Sequence, residues 1–240
     1  MKDLKENFDF LEGEVLLFDK PYKWTSFELV KYVKEKIFCY CSDIKKLKIG
    51  HAGTLDPLAT GLLILCTGKS TKKIEYFQNL KKEYIAEIRF GATTPSFDLE
   101  KDFDKFYDYQ HITFENIKDA LKNFIGEIEQ IPPIYSAKNI NGKRAYDYAR
   151  SGKYIELKPS KVKIYDIEII KFEMPNLLIK IVCGKGTYIR SLVRDIGYSL
   201  NSGAYLLNLR RIAIGNYKVD EAFTIKTFDV FLQKFFETKL

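Results

Sequence analysis

The chain has 240 residues, 46% of them hydrophobic and 15% aromatic, with a formal charge of +7 and a pI near 9.0. This composition excludes a disordered chain and allows either one large domain or two small ones. The excess of Lys and Arg favours a polyanionic partner. No run approaches membrane-spanning length, and Met1-Lys2-Asp3-Leu4-Lys5-Glu6 carries no apolar leader, so a cytoplasmic protein is expected.

In chain order, Val15 to Phe18 reads as a short strand ending at Asp19-Lys20-Pro21. Thr25 followed by Glu28 is a capping-box pattern. It opens an amphipathic helix with Leu29, Val30, Val33 and Ile37 on one face. Leu62–Cys66 is an apolar strand, followed by a helix from near Ser70 with Ile74 and Phe77 inward. Glu83–Phe90 alternates, with Tyr84, Ala86, Ile88 and Phe90 on one face. Residues 95–110 are charged and aromatic without a period and are expected to form a loop. Thr113 caps a helix with Ile117, Ala120, Leu121 and Phe124 inward and Gly126 at its end.

After the interruption at Pro132-Pro133, Ala145–Ser151 is expected to be helical. Strands are predicted near Val162–Phe172 and Leu177–Cys183, and the loop Gly184-Lys185-Gly186-Thr187 leads into a helix from about Ile189 to Leu200. A strand near Arg211–Tyr217 and a last helix over 224–238 complete the chain. Strands and helices mix without regular βαβ alternation, so an α+β fold on a mixed, largely antiparallel sheet is predicted. A single domain over 1–240 is expected.

Cys39, Cys41, Cys66 and Cys183 do not form paired C-x-x-C ligand sets. With only His51 and His111 as further ligands, a structural zinc site is not expected, and the thiols are read as reduced. Gly68-Lys69-Ser70-Thr71 imitates the end of a phosphate-binding loop, but the position that needs the first Gly is Leu63. Lys69, Lys72 and Lys73 then form a phosphate-contacting or merely solvated face.

Gly50-His51-Ala52-Gly53-Thr54-Leu55-Asp56-Pro57-Leu58-Ala59-Thr60-Gly61 is the most informative stretch. It presents one carboxylate on a loop punctuated by Gly, with Pro57 restricting Asp56 to extended or turn geometry. Such a loop suits a positioned catalytic carboxylate. It equally suits an Asp-Pro turn in which the carboxylate bonds its own backbone.

His51-Ala52-Gly53-Thr54-Leu55-Asp56-Pro57-Leu58-Ala59-Thr60-Gly61 resembles the signature of the TruB family of pseudouridine synthases. Further segments resemble that family in order, over about residues 13–220: Lys20-Pro21-Tyr22-Lys23-Trp24-Thr25-Ser26, Lys82-Glu83-Tyr84-Ile85-Ala86 and Gly91-Ala92-Thr93-Thr94-Pro95-Ser96-Phe97-Asp98. They continue with Pro132 to Lys138, Gly184 to Leu192, and Leu209-Arg210-Arg211-Ile212-Ala213. The first of these usually has Gly where Lys23 stands, and Pro95 and Phe97 depart from the expected pattern.

The resemblance implies a bent sheet flanked by helices around a central RNA-binding cleft, without the separate C-terminal RNA-binding domain of many relatives. It implies isomerisation of uridine to pseudouridine in tRNA, at position 55 of the T loop, a reaction that needs no metal or cofactor; a monomer with no obligatory protein partner is expected. Asp56 would be the nucleophile, Arg190 its cationic partner with Asp98 fixing that arginine, and Tyr84 a ring that stacks on uracil and helps remove the C5 proton. Tyr188 and Leu209 would line the uracil pocket, His51 would occupy the space left by the extruded base, and Lys20 would contact RNA. Lys143, Arg144 and Arg150 would touch phosphates. Two rival readings are a catalytic subunit directed by guide RNA, and an RNA-binding tRNA-folding factor whose chemistry is secondary.

Overall fold

A computed structural model of the chain describes residues 8–41, 46–136, 139–140, 142–150 and 157–237. In chain order the elements begin with β1 (Val15–Lys20), α1 (Ser26–Tyr40), β2 (Ile49–His51), β3 (Ala59–Thr67), a 3₁₀ segment (Gly68–Lys73) and α2 (Ile74–Asn79). Then follow β4 (Lys82–Phe90), β5 (Ala92–Thr93), β6 (Lys105–Phe106), α3 (Phe114–Lys122), β7 (Gly126–Gln130), β8 (Asn139–Ile140), β9 (Lys143–Arg144) and α4 (Ala145–Arg150). The chain ends with β10 (Ser160–Glu173), β11 (Asn176–Cys183), α5 (Ile189–Ser199), β12 (Ala204–Ile214), β13 (Tyr217–Lys218) and α6 (Ile225–Glu237).

The chain falls into two compact units. The first comprises residues 1–82 and 210–240, the second Glu83–Leu209, so the chain changes unit inside β4 and inside β12. Among the described residues no helix is long and apolar enough to cross a membrane.

In the first unit β3 lies between β1 and the Arg210–Ile214 half of β12, with β2 on β3 and β13 on β12. Strand β1 runs antiparallel to β3, with Val15 opposite Cys66 and Lys20 opposite Gly61. Successive side chains of a strand point to opposite faces, so a strand covered on both sides reads as one apolar run. Leu63 and Leu65 enter a core with Leu16, Phe18, the α1 residues Leu29, Val33 and Ile37, and Phe228 and Leu232 of α6. Leu62, Ile64 and Cys66 enter a second core with Ala52, Phe77 and Ile214.

Helix α1 starts as its sequence predicts. The Thr25 hydroxyl accepts from the Glu28 amide and the Glu28 carboxylate accepts from the Thr25 amide, so two orphan donors of the first turn are satisfied. Gly61 takes φ +104°, and a Cβ there would lie 2.2 Å from the Arg211 carbonyl oxygen. Only glycine permits both the conformation and the close approach of β12.

In the second unit the order is β12–β4–β11–β10–β7. In β4, Tyr84, Ala86, Ile88 and Phe90 are buried and alternate with more exposed neighbours. Strands β10 and β11 form a long antiparallel pair with irregularities between Ile164 and Asp166 and between Ile169 and Lys171.

Three expectations need adjustment. The strand expected near Arg211–Tyr217 begins at Ala204, because residues before Arg211 pair across the second unit and Gly215 breaks the run. Helix α3 ends at Lys122, not at Gly126. Asn123, Phe124 and Ile125 close the last turns, and Gly126, at φ +111°, opens β7 instead. Strand β7 went unread because its exposed Glu127 and Glu129 mask its pattern; such charges suit a strand at a sheet edge. The expected 95–110 loop is framed by the short β5–β6 pairing.

Candidate active site

The loop that carries Asp56 runs between β2 and β3 of the first unit, and backbone groups along its length are held by side chains from elsewhere. The Ser26 hydroxyl, on the first turn of α1, accepts from the Leu55 amide at 2.9 Å and donates to the Leu55 carbonyl at 3.1 Å. The Ala59 amide donates to the Asp56 carbonyl at 3.1 Å, closing a turn over Pro57. Arg211 donates from Nη2 to the Gly53 carbonyl at 3.1 Å and from Nε to the Leu62 carbonyl at 2.7 Å. One guanidinium thus ties the start of the loop to the strand β3 that follows it, and Asp56 itself is half-buried.

Lys20 closes the arrangement from β1. Its ammonium donates to the carbonyls of Pro21 at 2.9 Å, Trp24 at 2.5 Å and Pro57 at 3.3 Å. The residue is 0% exposed, and this lysine clamps the loop through three backbone carbonyls. Burial draws its pKa down to about 8; the nearby Asp56 opposes that shift and the Arg211 charge adds to it. The alternation of β1 carried the signal: Leu16, Phe18 and Lys20 share the buried face. At Lys23 the backbone has φ +65°, the left-handed conformation a glycine would supply.

His51 ends β2. Burial lowers its pKa first and the Arg211 charge second, while the Gly53 backbone opposes, so the imidazole is neutral at pH 7. Among the described residues its buried Nδ1 has no hydrogen-bond partner.

The other predicted residues, Tyr84, Asp98, Tyr188, Arg190 and Leu209, belong to the second unit. Arg190, the second residue of α5, is 2% exposed. It donates from Nη1 to the Ser96 carbonyl at 3.0 Å and from Nη2 to the Tyr135 carbonyl at 2.8 Å, and its Nε lies 3.6 Å from Asp98 Oδ2. Asp98 is held in turn, since its Oδ1 accepts from the Glu100 amide and its carbonyl from the Thr94 hydroxyl. Phe97, one of the unexpected residues of this segment, has φ +62°, and the Arg194 guanidinium lies 5.0 Å from its ring centroid.

Tyr84 is 8% exposed on the buried face of β4, and Leu209 is 6% exposed in β12. Tyr188 caps α5, with its amide donating to the Gln130 side-chain oxygen at 2.8 Å.

Sequence reading assigned no role to Arg211, Ser26 or Gln130. Arg211 was legible in principle, because Leu209, Arg211 and Ala213 share one strand face and an arginine in that register must find buried acceptors. Lys69 pairs with Glu12 at 2.8 Å, which leaves the phosphate-loop resemblance without its lysine. Lys143 is exposed; the side chains of Arg144 and Arg150, and residues Ala137 and Lys138, lie outside the described residues.

Comparison with known proteins identifies the class. The pattern of the TruB family pseudouridylate synthase (N terminal domain) matches residues 41–189. The chain belongs to this family and has its α+β, largely antiparallel fold. It is 53% identical over 226 residues to the tRNA pseudouridine synthase B of Phocaeicola vulgatus, covering 94% of this chain and 96% of that protein. The protein of the same name from Flavobacterium johnsoniae is 49% identical over 225 residues, covering 94% and 98%. Among solved structures, the chain resembles one titled as a crystal structure of a Cbf5-Nop10-Gar1 complex, with a TM-score of 0.72 and 28% identity. The match covers 96% of the present chain but spans only 57% of that solved chain.

Proposed function

We propose that the protein isomerises uridine to pseudouridine in tRNA, at position 55 of the T loop, with Asp56 as nucleophile. The observation that carries this reading is the bracing of the Asp56 loop at Gly53, Leu55, Pro57 and Leu62 by Arg211, Ser26 and Lys20. A carboxylate on a surface turn needs no such frame. A nucleophile does, because misplacement by about 1 Å can cost on the order of a hundredfold in rate. The relatives named tRNA pseudouridine synthase B, alike over nearly their whole length, supply the substrate class.

The reaction breaks the C1′–N1 bond, turns the uracil and joins C1′ to C5; C5 then loses its proton and N1, freed from the ribose, gains one. Bonds broken and formed balance without oxidation or reduction. Asp56 forms a covalent bond to the substrate that holds the reaction in its intermediate state. Tyr84 is the proposed stacking ring, with its hydroxyl near the C5 proton transfer. Arg190, held by Asp98 and two carbonyls, supplies a fixed positive charge. Tyr188 and Leu209 are assigned to the uracil pocket.

The target base must leave its stack, at a cost of a few kcal/mol. Neutral His51, whose buried Nδ1 has no hydrogen-bond partner among the described residues, suits the space the base vacates. In this reading the enzyme is a cytoplasmic monomer that needs no protein partner.

Tritium release from C5-labelled uridine in an isolated T stem-loop tests the proposal. Wild type should release tritium, and Asp56→Asn should release none while binding the RNA with wild-type affinity. Conversion by Asp56→Asn would remove the nucleophile assignment. Binding without release by wild type, on full-length tRNA as well, would favour the RNA-binding factor.

A further inference from the structure

On the turn between β1 and α1, Tyr22 and Lys23 point into solvent beside the braced loop. We propose that they are a substrate-contacting pair, the Tyr22 ring stacking on a nucleotide of the tRNA strand and the Lys23 ammonium meeting its phosphate. The proposal rests on the reading of the protein as a tRNA-modifying enzyme.

The turn is rigidly tied to the nucleophile loop. The Lys23 amide donates to the Pro57 carbonyl at 2.9 Å, and the same carbonyl accepts from the Lys20 ammonium. The Lys20 ammonium also holds the carbonyls of Pro21 and Trp24, which flank the pair on either side. Pro57 follows Asp56 directly, so whatever the turn binds is held in register with the carboxylate.

The main-chain path of this turn does not need a lysine. Lys23 has φ +65°, a left-handed conformation that side chains with a Cβ adopt rarely and glycine adopts freely. The side chain contributes nothing to a core: it is exposed, and among the described residues its ammonium pairs with no carboxylate. The ammonium instead lies 5.7 Å from the centroid of the Tyr22 ring. A side chain outside the core, on a backbone that glycine would adopt more readily, points to a use outside the fold.

Tyr22 is 52% exposed, with the Lys23 ammonium over its ring. A flat aromatic beside a cation is the combination that takes single nucleotides, the ring by stacking and the charge by displacing counterions from phosphate. The net charge of +7 agrees with a polyanionic partner.

The test uses the full chain, an unmodified T stem-loop and full-length tRNA, with Lys23→Gly, Lys23→Asn and Tyr22→Ala beside wild type. Glycine and asparagine both tolerate the left-handed backbone, so both Lys23 variants should melt at or above the wild-type temperature. Each should bind RNA about three- to tenfold more weakly near 0.1 M salt, the loss falling on Kd and KM rather than kcat. The slope of log Kd against log salt should become shallower by roughly 0.7–0.9, one phosphate contact. Tyr22→Ala should weaken binding with no change of slope.

Wild-type affinity and slope in both Lys23 variants would overturn the proposal. Wild type that binds without releasing tritium would overturn the enzymatic reading alone, since the salt slopes still judge Lys23. Wild type that fails to bind tRNA would overturn both.

Discussion

Arg190 Nε lies 3.6 Å from Asp98 Oδ2, and the two side chains are only 3% and 5% exposed. The separation is that of an ion pair rather than a hydrogen bond. The guanidinium makes hydrogen bonds to the carbonyls of Ser96 and Tyr135. The carboxylate and the two carbonyls together hold the arginine at the start of α5.

Removing the carboxylate alone should be costly, because it takes a buried ion-pair partner away from a buried cation. Asp98→Ala is expected to lose about 3 kcal/mol of stability by urea unfolding. The double variant Asp98→Ala/Arg190→Met should recover part of that loss, since an apolar pair carries no stranded charge. Additive losses would show that the pair is not coupled.

Lys20 gives a pH signature. Its folded-state pKa is lowered from 10.5 to about 8, chiefly by burial, while in the unfolded chain it keeps its proton to about 10.5. Between those values the unfolded state binds more protons, so stability from this site rises with pH, by on the order of 3 kcal/mol across the window. Below pH 8 both states are protonated and the contribution no longer changes. Unfolding midpoints at pH 7.5, 9 and 10.5 should rise less steeply in Lys20→Met than in wild type. Parallel profiles would show that Lys20 titrates normally.

Arg211 ties the start of the Asp56 loop to β3 without being assigned to the substrate, so its loss should act on placement of the nucleophile. Arg211→Lys keeps the charge but cannot reach Gly53 and Leu62 with one planar fork. It should lower kcat by about ten- to a hundredfold with KM nearly unchanged, read by single-turnover conversion of T stem-loop RNA. An unchanged kcat would mean that the loop keeps its shape without the guanidinium.

Much of this protein is set by short-range pattern. The Thr25 and Thr113 caps, the α1 face and the β4 alternation depend on residues a few positions apart, and the structure contains each of them. The Asp56 motif likewise lies in one continuous stretch, which is why it could be picked out without a fold. Edge strand β7 and the start of β12 were obscured because their partners, not their own composition, make them strands.

The frame around Asp56 was decided only by tertiary structure. Arg211 reaches carbonyls 158 and 149 positions away, and Lys20 one that is 37 positions away. A charged side chain looks alike in sequence whether it faces solvent or a buried carbonyl. Which of the two it faces depends on the strands that cover it, and those come together only when distant parts of the chain fold onto one another.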